Sequence, residues 1–155
     1  MPTPTYTPLA TVTLGSTAAS VTFSSIPATY RDLIVVVNGT TTASVGVTFR
    51  HNGDTTDANY TSVNMTGNGS TATSTTATNA NMMSMFTTQT QGIVQFLDYS
   101  ATDKHKTGLS RGDNAGNNTR AFARRWSNTA AITSIEIAGG TFNSGSTFSL
   151  YGVIA

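Results

Sequence analysis

The sequence predicts an all-β protein: a single antiparallel β-sandwich, jelly-roll-like, with about eight to ten strands. Three observations carry that expectation. Threonine makes up about a fifth of the 155 residues, and its β-branched side chain suits a pleated, half-wetted surface better than a helix. Charged residues are only 10% of the chain, against roughly a quarter in ordinary globular proteins. Apolar residues recur at every second position in short runs separated by Gly, Pro and Asn, and no stretch carries a helical period.

Taken in order, PLATVTL puts Ala10, Val12 and Leu14 on one face, and SVTFS does the same with Val21 and Phe23. After Pro27, YRDLIVVVNG is apolar at Leu33, Ile34, Val35, Val36 and Val37. A run apolar on both faces predicts a central strand covered on both sides. SVGVTFR offers Val45, Val47 and Phe49, and Asn52-Gly53 is a turn signal. QGIVQFLDY, TRAFARRW, AITSIEIAG and STFSLYGV complete the set, with weaker patterns in NMMSMF and HKTGLS. In the last run Phe148 and Leu150 alternate with Tyr151 and Val153, which predicts a terminal strand held inside a sheet. Residues 66–81, TGNGSTATSTTATNAN, are nearly free of large apolar groups and read as a flexible loop or arm. Residues 1–8, with three prolines, read as an extended N-terminal arm. Residues 1–155 are thus expected to form one sandwich domain, with Met82, Met83 and Met85 filling its core.

The chemical inventory is thin. There is no cysteine, so neither disulfides nor thiolate chemistry is available. His51, Asp54 and Ser62 contain the residue types of a catalytic triad, but no G-x-S-x-G context supports a nucleophile. A polar turn accounts for them, and His105, between Lys104 and Lys106, reads as exposed loop. Asp54 and Asp57, flanked by Asn52 and Asn59, are weak candidate ligands for a hard cation. The spacing is not that of an EF-hand, and an Asx-turn network explains the same residues. No enzyme activity, metal or cofactor is expected. Arg111-Gly112-Asp113 matches a cell-adhesion tripeptide but reads as a turn.

One asymmetry carries more information. Lys104, Lys106, Arg111, Arg120, Arg124 and Arg125 concentrate six of the eight basic residues in 104–126. In TRAFARRW, Arg120, Phe122, Arg124 and Trp126 share one face. Arg and Trp together are favoured interface anchors, so Lys104, Lys106, Arg120, Arg124, Arg125 and Trp126 are candidate partner contacts. The other reading is Arg stems lying over aromatic rings on a solvated sheet. A net charge of +1 excludes a general nucleic-acid binder. No apolar run is long enough for a membrane helix, and no secretory leader is evident.

SSIPATYRDLIVVV, FRHNGDTTDANY, RRWSNTAAITSIEI and the closing GSTFSLYGV, in that order, resemble small β-sandwich virion proteins of tailed bacteriophages, especially those of aquatic and cyanobacterial hosts. The resemblance implies a subunit made in the bacterial cytoplasm and carried on the outer surface of the head. It further implies a decoration (cement) protein, commonly trimeric, whose partners are its own copies and the major capsid protein. The alternative within the same resemblance is a head- or tail-fibre domain that binds a host surface receptor. Residues 66–81 map onto nothing in that pattern.

Overall fold

The structure is a computed structural model describing residues 5–114, 116 and 118–154, with only the backbone of Asp113. Twelve strands follow one another, with no α-helix among the described residues. They are β1 (Tyr6–Thr13), β2 (Ala18–Phe23), β3 (Asp32–Gly39), β4 (Val45–His51), β5 (Tyr60–Gly67) and β6 (Ala72–Ala77), then β7 (Asn81–Met85), β8 (Thr90–Leu97), β9 (Lys106–Asn114), β10 (Thr119–Trp126), β11 (Ile135–Phe142) and β12 (Thr147–Val153). Eight form one sheet in the order β1-β12-β3-β8-β9-β10-β5-β6, and four form a second in the order β2-β11-β4-β7. Every neighbouring pair is antiparallel. The chain is a two-layer, jelly-roll-like β-sandwich.

The core lies between the layers. Leu33, Val35 and Val37 of β3 and Phe148 and Leu150 of β12 face Val47 and Phe49 of β4 and Ile135 and Ile137 of β11, all buried. Such side chains each contribute roughly 1.5–3 kcal/mol when fully buried. The terminal strand β12 therefore sits inside the sheet, paired on both sides by β1 and β3. Met82, Met83 and Met85 are core residues. A bulge achieves this, because Val47 faces Met83 and Thr48 faces Asn81, leaving Met82 as the extra residue.

Three expectations are corrected. Residues 66–81 are not a loop or arm but the end of β5, strand β6 and the approach to β7. Asn68 closes the β5–β6 turn, its side-chain oxygen accepting from the N–H groups of Ser70 and Thr71, with Gly69 at φ +85°. β6 is exposed at nearly every position, so it shows no apolar alternation and its composition conceals a strand. The N-terminal arm expected over 1–8 is, where described, largely strand: Tyr6, Thr7 and Pro8 pair with Val153, Gly152 and Tyr151. Among the described residues, β3 is covered on one side only. Ile34 and Val36 are half-buried on the far face of the large sheet, where the two-layer architecture provides no third layer.

Candidate functional site

That uncovered face gathers the exposed apolar side chains. Register sets Ile34 between Tyr151 of β12 and Gln95 of β8, with Leu109 of β9 next in the row. In the adjoining row, Val36 is followed by Ile93, Arg111, Ala121 and Met65 across β8, β9, β10 and β5. These rows floor a depression of about 530 Å³ with Tyr6 at one end. Shallower hollows extend it past Leu109 towards Leu97 and Arg125 and past Arg111 towards Met65 and β6. Tyr6 is 55% exposed, Leu109 54%, Met65 48% and Leu97 40%, so four of the five exposed large apolar side chains among the described residues lie here. This clustering of exposed apolar side chains on one face makes it the candidate contact surface.

Arg111 and Arg125 supply the charge in these hollows, and no carboxylate of the described residues lines them. Gln95 is held by its amide N–H donating to Asp32, a buried carboxylate that also pairs with Arg31 at 3.0 Å. The Ser110 hydroxyl points the other way and donates to the Met82 carbonyl. Arg111-Gly112-Asp113 is not the expected turn. Its backbone runs within β9, paired to β8 and β10 on its two sides.

The candidate contact residues divide sharply. Arg125 is exposed on the outer face, and Lys104 is exposed in a 3.0 Å ion pair with Asp98. Lys106, Arg124 and Trp126 are 1%, 4% and 1% exposed, which removes them as partner contacts. The Lys106 ammonium donates to the carbonyls of Lys104 and Thr129. Arg120 lies between the layers, donating to Ser84 Oγ at 2.6 Å with its guanidinium over the Phe86 ring. The shared face of Arg120, Phe122, Arg124 and Trp126 is real, but it points into the sandwich. Arg over aromatic ring describes its contacts, in the core rather than on a wet surface.

Arg124 bolts the two layers together. From β10 its Nη1 donates to the carbonyls of Phe49 at 2.6 Å and Ala80 at 2.7 Å, and its Nη2 meets His51 Nε2. The guanidinium lies over Tyr60 and Phe96, with centroids at 5.0 and 5.8 Å. Among the described residues no carboxylate pairs with it. Burial pulls its pKa down to about 9. His51, read as part of a polar turn, is buried in β4, its Nδ1 without a hydrogen-bond partner. Burial first, then the Arg124 and Lys106 charges, holds its pKa well below the usual value.

The triad residues do not assemble. The Asp54 carboxylate accepts from Trp126 Nε1 at 2.7 Å, Asn59 Nδ2 at 2.8 Å and the Thr56 N–H at 2.9 Å, and Ser62 Oγ donates to Ala77 O. Burial works to raise the Asp54 pKa, but hydrogen bonds from Trp126, Asn59 and Thr56 outweigh it and hold the carboxyl below its usual value. Asp57 pairs with Arg50 at 2.8 Å. The two weak metal candidates are thus committed to separate partners, and no cluster of three His, Cys, Asp or Glu gathers among the described residues. What sequence reasoning missed is the outer face itself. Its signal was present in the double-sided run Leu33–Val37, read there as a strand covered twice.

No family model matches this chain, and no curated protein matches it. Among solved structures, it is similar to the galectin LEC-6 of Caenorhabditis elegans over 90% of this chain and 94% of that one, at 12% identity and a TM-score of 0.38.

Proposed function

We propose that this chain is a reaction-free virion subunit of a tailed bacteriophage: a decoration protein that attaches to the assembled head shell as an oligomer and stabilises it. The observation that carries the reading is the outer face of the eight-stranded sheet, largely apolar but for Gln95, Arg111 and Arg125. A two-layer fold with one bare apolar face is built to be completed by something else. The phage setting comes from the sequence resemblance, and the low charge and the absence of cysteine agree with it. Apolar area removed from water stabilises by roughly 25 cal/mol per Å². Several copies on one shell make each weak contact count, because later contacts form at high effective concentration. A ligand of the assembled shell alone stabilises that state by mass action.

The test is co-sedimentation of purified protein with mature heads of the phage that encodes it, using wild type and Leu109→Glu. Leu109 is exposed at the centre of the face, so the substitution leaves the core untouched while placing a charge where apolar contact is required. Wild type should pellet with heads and Leu109→Glu should stay in the supernatant. Protein that ignored heads but bound host cells would instead establish the fibre alternative, and turnover of a sugar or ester would overturn both.

A further inference from the structure

Among the described residues the sandwich has four free strand edges, and three are guarded. β1 carries Pro8 and a bulge between Pro8 and Ala10. β2 loses regular pairing where β11 is irregular between Ala138 and Phe142. β7 is bulged at Met82; side chains of the opposite sheet take the Met82 carbonyl (Ser110) and the carbonyl of the adjoining Ala80 (Arg124). These are the devices that keep an edge from adding a strand. β6 has none of them. Its sequence ATSTTA holds no proline, it keeps unbroken register with β5 from Ala72 to Ala77, and no charged side chain occurs anywhere between Asp57 and Asp98. It is also exposed on both faces, so almost nothing but the ladder to β5 holds it.

The ladder fixes which of its backbone groups are free. The Asn68 N–H donates to Thr71 O at the turn. Alternation then makes Thr66–Thr73, Asn64–Thr75 and Ser62–Ala77 the hydrogen-bonded pairs. The N–H and C=O groups of Ala72, Ser74 and Thr76 point outward.

We infer that β6 is a self-association edge that pairs antiparallel with β6 of a second copy, with Ser74 on the two-fold axis. This register pairs every outward group: Ser74 faces Ser74 of the second copy, and Ala72 faces Thr76. Between them Thr73 stands opposite Thr75, a cross-strand combination that favours pairing. A two-fold contact must be self-complementary. A strand of small, uncharged, alternating residues satisfies that requirement by itself, so a second copy is the occupant it fits. The pairing also continues the bare outer face from one copy to the next, since Met65 and β6 border that face.

The experiment is sedimentation velocity on the full chain across a concentration series, with Ser74→Lys, Ser74→Glu and Thr76→Pro. Ser74 is exposed, and Thr76→Pro removes an outward N–H, so none of the three disturbs the β5 ladder. Circular dichroism confirms that each remains folded. Wild type should dimerise with rising concentration, each variant alone should be at least tenfold weaker, and an equimolar mixture of Ser74→Lys and Ser74→Glu should dimerise again. Wild type monomeric at every concentration, a trimer, or association indifferent to these variants would overturn the inference. None of these results depends on whether the protein binds a phage head.

Discussion

His51 gives a direct test of how the two layers are joined. Arg124 donates to its Nε2, which places the ring proton on Nδ1, an atom with no partner in the core. Phe96 meets the imidazole edge-on at 4.8 Å and Trp126 lies at 5.1 Å. A second proton would put a cation beside the buried guanidinium, with Lys106 adding to the repulsion, so the folded state keeps His51 neutral well below the usual 6.5. The sign follows. In the unfolded chain the imidazole protonates near 6.5; in the folded state it does so only at much lower pH, so between those values the unfolded chain binds the extra proton and stability falls as pH falls. One proton changes stability by at most about 1.4 kcal/mol per pH unit, so the loss at pH 5.0 is bounded at about 2 kcal/mol. With an m-value of about 2 kcal/mol/M, the urea midpoint should drop between pH 7.5 and 5.0 by up to about 1 M. His51→Gln keeps an acceptor for Arg124 and removes the titration, so its midpoint should be nearly flat over that interval. Equal pH dependence in wild type and His51→Gln would refute the reasoning. Asp54 works in a separate window: its lowered pKa contributes stability that is lost only as pH falls below its ordinary 3.8.

Two further predictions follow from the side chains around it. Arg124→Glu sets a carboxylate against the carbonyls of Phe49 and Ala80 and should unfold the protein or cost at least about 4 kcal/mol, whereas exposed Arg125→Glu should stay within about 0.5 kcal/mol, both read by thermal denaturation. Trp126→Phe keeps most of the ring burial but deletes the donor to Asp54. It should cost about 1.5–3 kcal/mol in urea, the range for a hydrogen bond to a charged group, and should shift acid unfolding to higher pH.

The layered fold was legible because most strands have one wet and one dry face, which alternation reports. β6 was not, because it is exposed on both faces; nothing in ATSTTA distinguishes such a strand from a loop. Arg124 was misplaced for the opposite reason. Alternation correctly put it on the face of Phe122 and Trp126, both buried, and that neighbourhood was the signal that it is buried too. Its charge argued for the surface more strongly, since cations are almost never fully buried unless satisfied. What satisfies it is backbone, the Phe49 and Ala80 carbonyls, and sequence does not reveal which carbonyls a fold will leave in reach.

The double-sided run in β3 was read correctly as apolar and wrongly as covered twice, and the difference bears on function. In a chain with helices to spare, a strand of this kind is buried between layers. Here the described chain is two sheets with no third layer, and Ile34 and Val36 still face outward, in register with Tyr151, Ile93 and, beyond Gln95, Leu109. By contrast, Thr11 and Thr13 meet Ser149 and Thr147 by side-chain hydrogen bonds at the margin of the same sheet face. The polar margin and the apolar centre thus belong to one surface with two chemistries, the arrangement of an interface whose core is dehydrated on contact and whose rim stays wet. The covering layer that β3 lacks is what the proposed partner would supply.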